Sequence, residues 1–198
     1  MLDHVFTDAI GSLRDALESA LLERQALEER LHSDLLLGDV VWETSYAIPG
    51  EGNPPRAQAD ITLTWPTWAQ SAYRSWYLET DTTDQPTIDI DVAFRVQRLT
   101  QRPEPATLMA VIPEPTPQLG RQRLTGDGPT LETSYAPDLS VESHAAEISF
   151  SGSYELEEST LQDGSVLDQT FNALGGWVAT TLVRLGDLPL DFAPPQSD

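Results

Sequence analysis

Paired carboxylates are the first candidates for chemistry in this sequence. Asp89 and Asp91 stand two positions apart in an alternating segment, so both fall on one face of a predicted strand. Two carboxylates held at a fixed separation across a cleft can hydrolyse a glycosidic bond. However, the 198 residues contain 32 acids, and such pairs arise by chance at this density. We therefore expect no catalytic residues and a protein that is not an enzyme.

Other chemical motifs are missing from the sequence as well. The three histidines, His4, His32 and His144, have no metal-ligand spacing. The acidic segment 79–84 lacks the central glycine and the late glutamate of a calcium loop. Cysteine and lysine are absent, which excludes thiol and Schiff-base catalysis. The sequence predicts no metal ligand and no cofactor.

An aromatic cluster is the most notable local feature. Thirteen residues hold a third of all aromatic side chains, namely Trp65, Trp68, Tyr73, Trp76 and Tyr77. Trp and Tyr are typical anchors of protein interfaces, and flat aromatic faces also suit stacking against sugars. The spacing 68, 72, 73, 76 equally fits one face of a short helix that caps a sheet, with a proline at position 66 in its first turn. Core, protein interface and ligand surface are therefore all open alternatives.

A long amphipathic helix is predicted at the N-terminus. Its seam repeats in steps of four and three, as in a coiled coil, and consists of Phe6, Ile10, Leu13, Leu17, Ala20, Arg24, Leu27 and Leu31. Gly38 suits a helix terminator, so the helix is assigned to residues 1–38. It either packs along the chain's own sheet or pairs with a helix of a second copy or of a partner.

Alternation of apolar and polar residues predicts strands after the helix. The clearest runs are 40–47, 57–65 and 86–99. A short apolar run between prolines at 108–112 predicts an edge strand. The region 171–185 fits either a strand or a short amphipathic helix. Its two adjacent glycines disfavour both structures, so the choice stays open.

The two halves of the chain share similar blocks. ETSYA occurs at 43–47 and at 132–136, the segment 58–64 resembles 144–151, and 92–99 resembles 178–185. Three blocks in the same order at nearly constant spacing predict a duplicated β unit of about 60 residues. Convergent strand composition is the alternative, since Thr, Ser, Val and Ile recur in any β protein.

Charge limits the classes of partner. The net charge is −21 and all eleven basic residues are arginine, which argues against nucleic acid and against a polybasic membrane contact. No run approaches 18 apolar residues and no positively charged leader opens the sequence, so we expect no membrane insertion and a cytoplasmic location. The acids are uneven, because residues 101–198 hold 15 of them against four arginines.

These observations predict an α+β protein. The N-terminal amphipathic helix (1–38) is followed by a first β unit with the aromatic cluster (39–112), a Pro/Gly-rich connector (113–128) and a second β unit with an acidic surface and a short tail (129–198). The two related antiparallel units would pack like a sandwich. We expect a non-catalytic assembly or adaptor protein that self-associates as a homo-oligomer, or binds a protein partner, through the helix seam and the aromatic cluster. The alternative is a ligand-binding β module that holds a carbohydrate or a small apolar ligand on the Trp/Tyr cluster.

Overall fold

One antiparallel sheet with helices on one face forms the body of the protein. The structure is a computed structural model that describes residues 3–21, 26–33, 38–48, 53–78, 84–136, 141–157 and 164–195. In chain order the elements are α1 (Asp3–Ala20), β1 (Ala26–Ser33), β2 (Val40–Ala47), β3 (Ala57–Trp65), α2 (Thr67–Tyr77), β4 (Thr87–Leu99), α3 (Pro105–Met109), β5 (Gln118–Leu119), β6 (Gln122–Arg123), β7 (Thr125–Gly126), β8 (Thr130–Ala136), β9 (Val141–Glu155) and α4 (Ser165–Gly186).

The sheet contains strands from both halves of the chain. Its order is β1-β2-β3-β4-β9-β7, and β8 also pairs with β9, whereas β5 and β6 form a separate short hairpin. All the pairings are antiparallel. The α+β class is therefore confirmed. The sandwich is not, because β9 of the second half pairs directly with β4 of the first half.

The internal duplication is not confirmed either. The first two pairs of similar blocks form the hairpins β2–β3 and β8–β9. The third pair of blocks lies in strand β4 in one half but in helix α4 in the other. The hairpins also differ in register. In the first hairpin Ser45 pairs with Asp60, whereas in the second its counterpart Ser134 pairs with Ser143 and not with Glu147, the counterpart of Asp60.

Alternation along the strands gives the sheet one apolar and one polar face. Every second residue of β3 and of the first ten residues of β4 is buried, and the residues between them are partly or fully exposed. Strands predicted at 40–47, 57–65 and 86–99 are thereby confirmed, within one residue at their ends. The core-facing side chains of the two central strands are Ala57, Ala59, Ile61, Leu63, Trp65, Ile88, Ile90, Val92, Phe94 and Val96.

Helices α1 and α4 pack against each other on the apolar face. Four seam residues of α1 are buried there, namely Phe6, Ile10, Leu13 and Leu17. The helices approach closely at Gly175, where an added Cβ would lie 2.6 Å from Ala16 Cβ and 3.1 Å from the Leu13 carbonyl oxygen. A side chain at this position would hold the helices apart, so glycine sets their separation. The four buried seam residues thus pack inside the chain itself, with α1 lying chiefly against α4.

The prediction of one helix over residues 1–38 is wrong at residues 26–33. Residues Ala26–Ser33 form strand β1, which pairs with β2. Leu27 and Leu31 therefore belong to a strand, and Arg24 lies outside the described residues. The physical reason is that a spacing of four residues keeps two side chains on one face of a helix and also on one face of a strand. The backbone hydrogen bonds to β2 then favour the strand.

The stretch predicted as a connector is packed on the body of the protein. Residues 113–128 contain β5, β6 and β7, and β7 pairs with β9. Their backbone is also fixed by a side chain of α4, because the Trp177 indole N–H donates to the Pro113 carbonyl at 2.9 Å. The edge strand predicted at 108–112 is wrong, since α3 covers Pro105–Met109 with its proline in the first turn. The open choice for 171–185 resolves as helix, within α4.

We predict opposite effects for the two adjacent glycines of α4. Gly175→Ala should lower the free energy of unfolding by about 1–3 kcal/mol, because its methyl group overlaps Ala16. Gly176→Ala meets no atom within 4 Å and should raise that energy by up to about 1 kcal/mol, the helix-propensity gain. Urea unfolding followed by circular dichroism measures both. Equal effects of the two substitutions would contradict the close helix packing.

Candidate partner-binding surface

Helix α2 is fixed at its N-terminus by the turn before β2. The Asp39 carboxylate accepts hydrogen bonds from the Thr67 backbone N–H at 2.7 Å and from the Thr67 hydroxyl at 3.1 Å. It therefore does the work of an N-cap from a distant part of the sequence, since Pro66 at the N-cap position has no side-chain donor or acceptor. The Gln70 amide donates to the carbonyls of Gly38 and Trp65. Gly38 has φ of +74°, which glycine adopts without strain.

The aromatic cluster is split between core and surface. Trp65 is only 2% exposed and contacts Phe6 and Tyr73 edge to face, with ring centroids 5.6 and 5.7 Å apart. Tyr73 and Trp76 are half-buried and pack against the core. Trp68 is different, because 51% of it is exposed. The short helix that the sequence spacing allowed at 68–76 is α2, whereas Trp65 ends strand β3. The spacing did not separate the half-buried Tyr73 and Trp76 from the exposed Trp68.

The C-terminal end of α2 adds a second exposed apolar side chain. Leu78, at the C-cap position, is 70% exposed and was not singled out by the sequence pattern. Tyr77 ends the helix, and its side chain lies outside the described part of the chain. The eleven residues of α2 include no acid and one arginine, Arg74, which is exposed. In a chain of net charge −21, this is a local departure from the acidic surface. We define the α2 surface as Trp68, Arg74 and Leu78.

The seam predicted on the N-terminal helix does not form a surface. Four of its members on α1 are buried in the core, as described above, Ala20 at the end of α1 is exposed, and the residues at 27 and 31 belong to the edge strand β1. The sequence pattern of a buried amphipathic helix and of a coiled-coil seam is the same at this length. The rest of the chain decides what covers the apolar side of such a helix, and in this protein α4 and the sheet cover it.

The outward face of the sheet carries a network of polar side chains around Arg95. Its guanidinium Nε donates to Glu147 at 2.7 Å and lies 3.6 Å from Asp60. The Asp60 carboxylate also accepts hydrogen bonds from Ser45 and Gln58. Shallow depressions of about 230 and 170 Å³ lie on the two sides of Arg95. Asp60 and Glu147 are thus held by contacts with side chains on neighbouring strands, and these contacts help to join the strands of the sheet.

Asp89 and Asp91 share the outward face of β4, as their spacing predicted. Asp89 accepts a hydrogen bond from the Ser153 hydroxyl at 2.8 Å. The pKa of Asp91 is raised above its ordinary value of 3.8, chiefly because the surrounding sheet removes part of its hydration and then because of the nearby Asp89 charge. The Asp91 side chain still reaches solvent. The pair therefore lies on an open face, where the Asp89 charge adds to the cost of ionising Asp91.

Two of the three histidines have local partners. His4 Nδ1 lies 3.0 Å from Asp8 on the same helix, and His144 Nδ1 lies 2.9 Å from the Thr133 hydroxyl. In the part of the chain that the structure describes, no three His, Asp or Glu side chains converge to hold a metal ion. No helix of the described ranges is long and apolar enough to cross a membrane. Comparison with protein families, curated proteins and solved structures finds no match for this chain.

We predict that Asp91→Asn stabilises the protein at neutral pH. A carboxyl whose pKa is raised on folding disfavours the folded state when it is ionised, so the substitution removes that cost. Solvent screening limits the gain in unfolding free energy to about 0.5 kcal/mol or less. The gain should shrink as the pH falls through the raised pKa, because the wild-type carboxyl then becomes neutral.

Urea unfolding at several pH values tests this dependence. Asp127→Asn, at an exposed acid in the turn between β7 and β8, is the matched control, because it removes the same charge elsewhere. An equal gain for both variants, or no dependence on pH, would show that only the net charge of the chain matters.

Proposed function

We propose that the protein is a non-catalytic assembly or adaptor protein that binds a protein partner through the α2 surface. The observation that carries the proposal is the half-exposed indole of Trp68 on a helix where Tyr73 and Trp76 pack against the core. Tryptophan is the side chain most often found as an energetic anchor of protein interfaces. The exposed part of the Trp68 indole is therefore a candidate for burial by a partner.

The free energy available from burying the rest of the Trp68 indole supports a role for this residue as an anchor. About half of an indole, roughly 100 Å², remains to be buried, and at about 25 cal/mol per Å² this contributes roughly 2.5 kcal/mol. Such a term corresponds to a difference in affinity of nearly two orders of magnitude. Leu78 at the other end of α2 adds apolar area that the same partner would cover.

The setting of α2 supports the proposal in two further ways. The contacts of Asp39 and Gln70 hold the N-terminal turn in place before any partner binds, which reduces the ordering cost of association. The absence of acids from the helix matches interface cores, which are depleted in charge but enriched in aromatic residues and arginine. A neutral or basic partner suits the chain as a whole, since its net charge of −21 repels acidic proteins.

The alternative of a carbohydrate or apolar-ligand module receives less support. A stacking platform uses open aromatic faces, whereas Trp65 is buried and Tyr73 and Trp76 are half-covered by the core. Trp68 alone offers a largely free face among the described members of the cluster. The distribution of the aromatic side chains thus favours an anchor for a protein over a platform for a sugar.

We predict that Trp68→Ala abolishes or weakens partner binding without unfolding the protein. Proteins that co-purify with the native chain are identified by mass spectrometry, and their affinities for wild-type and variant chains are then measured with purified components. Affinity should fall about 10- to 100-fold, because the anchor area is lost. Stability should change by only about 0.5 kcal/mol, as for an exposed site.

Val166→Ala is the matched control for this experiment. Val166 is also an exposed apolar residue, at 48%, but lies on the first turn of α4 rather than on α2. Its substitution should leave the bound proteins and their affinities unchanged. The proposal fails if Trp68→Ala retains the same partners with the same affinity, or if Val166→Ala loses them equally.

A further inference from the structure

Strand β8 leaves one side of its backbone unpaired among the described residues. It pairs along all seven residues with β9, and no described strand lies on its other side. An unpaired edge presents a row of N–H and C=O groups that can pair with another strand. Proteins usually protect such edges with charges, prolines or covering elements.

Strands β1 and β8, at opposite edges of the sheet, differ in this protection. The sequence of β1 at one edge, ALEERLHS, carries three charged residues in eight. The sequence of β8 at the other edge, TLETSYA, carries one in seven. The seven residues of β8 are thus the weakly protected edge in a chain that is otherwise strongly charged.

Strand β8 also exposes an aromatic side chain. Tyr135 is 63% exposed, and Leu131 on the same face is half-buried at the margin of the core. Both belong to the face on which the helices pack, because Leu131 is paired with the buried Ala146 of β9. A strand added at this edge would cover Tyr135 and extend the apolar face of the sheet.

We propose that a second copy of this chain pairs with β8, antiparallel and about a two-fold axis, so that two sheets join into one. The argument is that the sequence TLETSYA is complementary to itself when two copies run antiparallel with Thr133 at the centre. When Thr133 lies opposite Thr133 of the second copy, all seven residues have a partner. Leu131 then faces Tyr135 of the other copy, and Glu132 faces Ser134.

Side-chain chemistry selects this register over its neighbours. A two-fold axis perpendicular to the sheet allows only registers in which a residue faces its own copy. Centring on Glu132 places two like charges directly opposite each other, which is destabilising. Centring on Ser134 shortens the ladder and moves Tyr135 away from Leu131. The Thr133 register alone pairs the whole strand, joins aromatic with aliphatic side chains and opposes no two acids.

Electrostatics gives this dimer a distinctive salt dependence. Two chains of net charge −21 repel each other, and added salt screens that repulsion. No salt bridge crosses the proposed register, so salt weakens no attractive contact within it. The dimer should therefore tighten as the salt concentration rises.

Cysteine cross-linking tests the register, because the chain contains no cysteine of its own. Opposite residues in an antiparallel pair have Cα atoms about 4.5–5.5 Å apart, within the range that a disulfide spans. Thr133→Cys should form a disulfide-linked dimer under mild oxidation. Thr130→Cys is the matched control, since six residues of strand, roughly 20 Å, would separate its two copies.

A heterologous pair checks the register in a second way. A mixture of Leu131→Cys and Tyr135→Cys chains should cross-link to each other faster than either chain does to itself. Light scattering on the wild-type chain should give twice the monomer mass of 21.8 kDa. Circular dichroism verifies that each variant is folded, which matters for Thr133 because its hydroxyl bonds to His144.

A charge substitution separates the interface from general repulsion. Thr133→Lys places two ammonium groups opposite each other and should dissociate the dimer, although it lowers the net negative charge of each chain. Thr130→Lys adds the same charge opposite Ala136 and should retain the dimer. Trp68→Ala should also retain it, since α2 is a separate surface and the two proposals fail independently.

The proposal is overturned by any of three results. The first is a wild-type chain that remains monomeric at high concentration and high salt. The second is a Thr130→Cys chain that cross-links as fast as Thr133→Cys. The third is a folded Thr133→Lys chain that still dimerises.

Discussion

The apolar face of the central strands must be removed from water, and segments from both ends of the chain do this together. β3 and β4 place ten alternating side chains on one face, and helices α1 and α4 cover them. The helices meet at Gly175, where the lack of a side chain allows the Ala16 methyl group to fill the gap. Because the two helices are about 150 residues apart in sequence, folding of the core requires almost the whole chain.

The same constraint positions α2 and the segment after β4. Trp65 ends β3 with its indole held between Phe6 of α1 and Tyr73 of α2, so the start of α2 is tied to the core. On the other side of the core, Trp177 of α4 packs edge to face on Phe94 and Phe150 and holds the proline-rich backbone through its N–H. The position of α2 is therefore a consequence of core packing. Trp68 is exposed because Tyr73 and Trp76 occupy the side of the helix that packs against the core.

Period-two alternation made the strands predictable, whereas segments that fit two periods were not. Residues 57–65 and 86–99 have apolar side chains at every second position over long runs, which no helix reproduces. Leu27 and Leu31 are four apart and fit both a helix and a strand, so the prediction failed where pairing with β2 decided the outcome. In 171–185 the two glycines hid the helix, yet Gly175 is required by packing against α1, which no local pattern reveals. The candidate surfaces were only partly predictable for the same reason, since the aromatic cluster gave α2 but tertiary packing separated Trp68 from Trp65.

The distribution of acids links the two proposed surfaces. The second half holds most of the excess acids, and the outward face of the sheet pairs carboxylates with Arg95 and serine, as expected of a solvated surface. Helix α2 carries no acid around the exposed Trp68, and strand β8 carries a single acid in its seven residues. Charge repulsion between chains falls off over about 10 Å at moderate salt, so the acids that matter for a contact are those near it. A strongly acidic chain can therefore associate through short neutral segments while the rest of its surface keeps other contacts from forming.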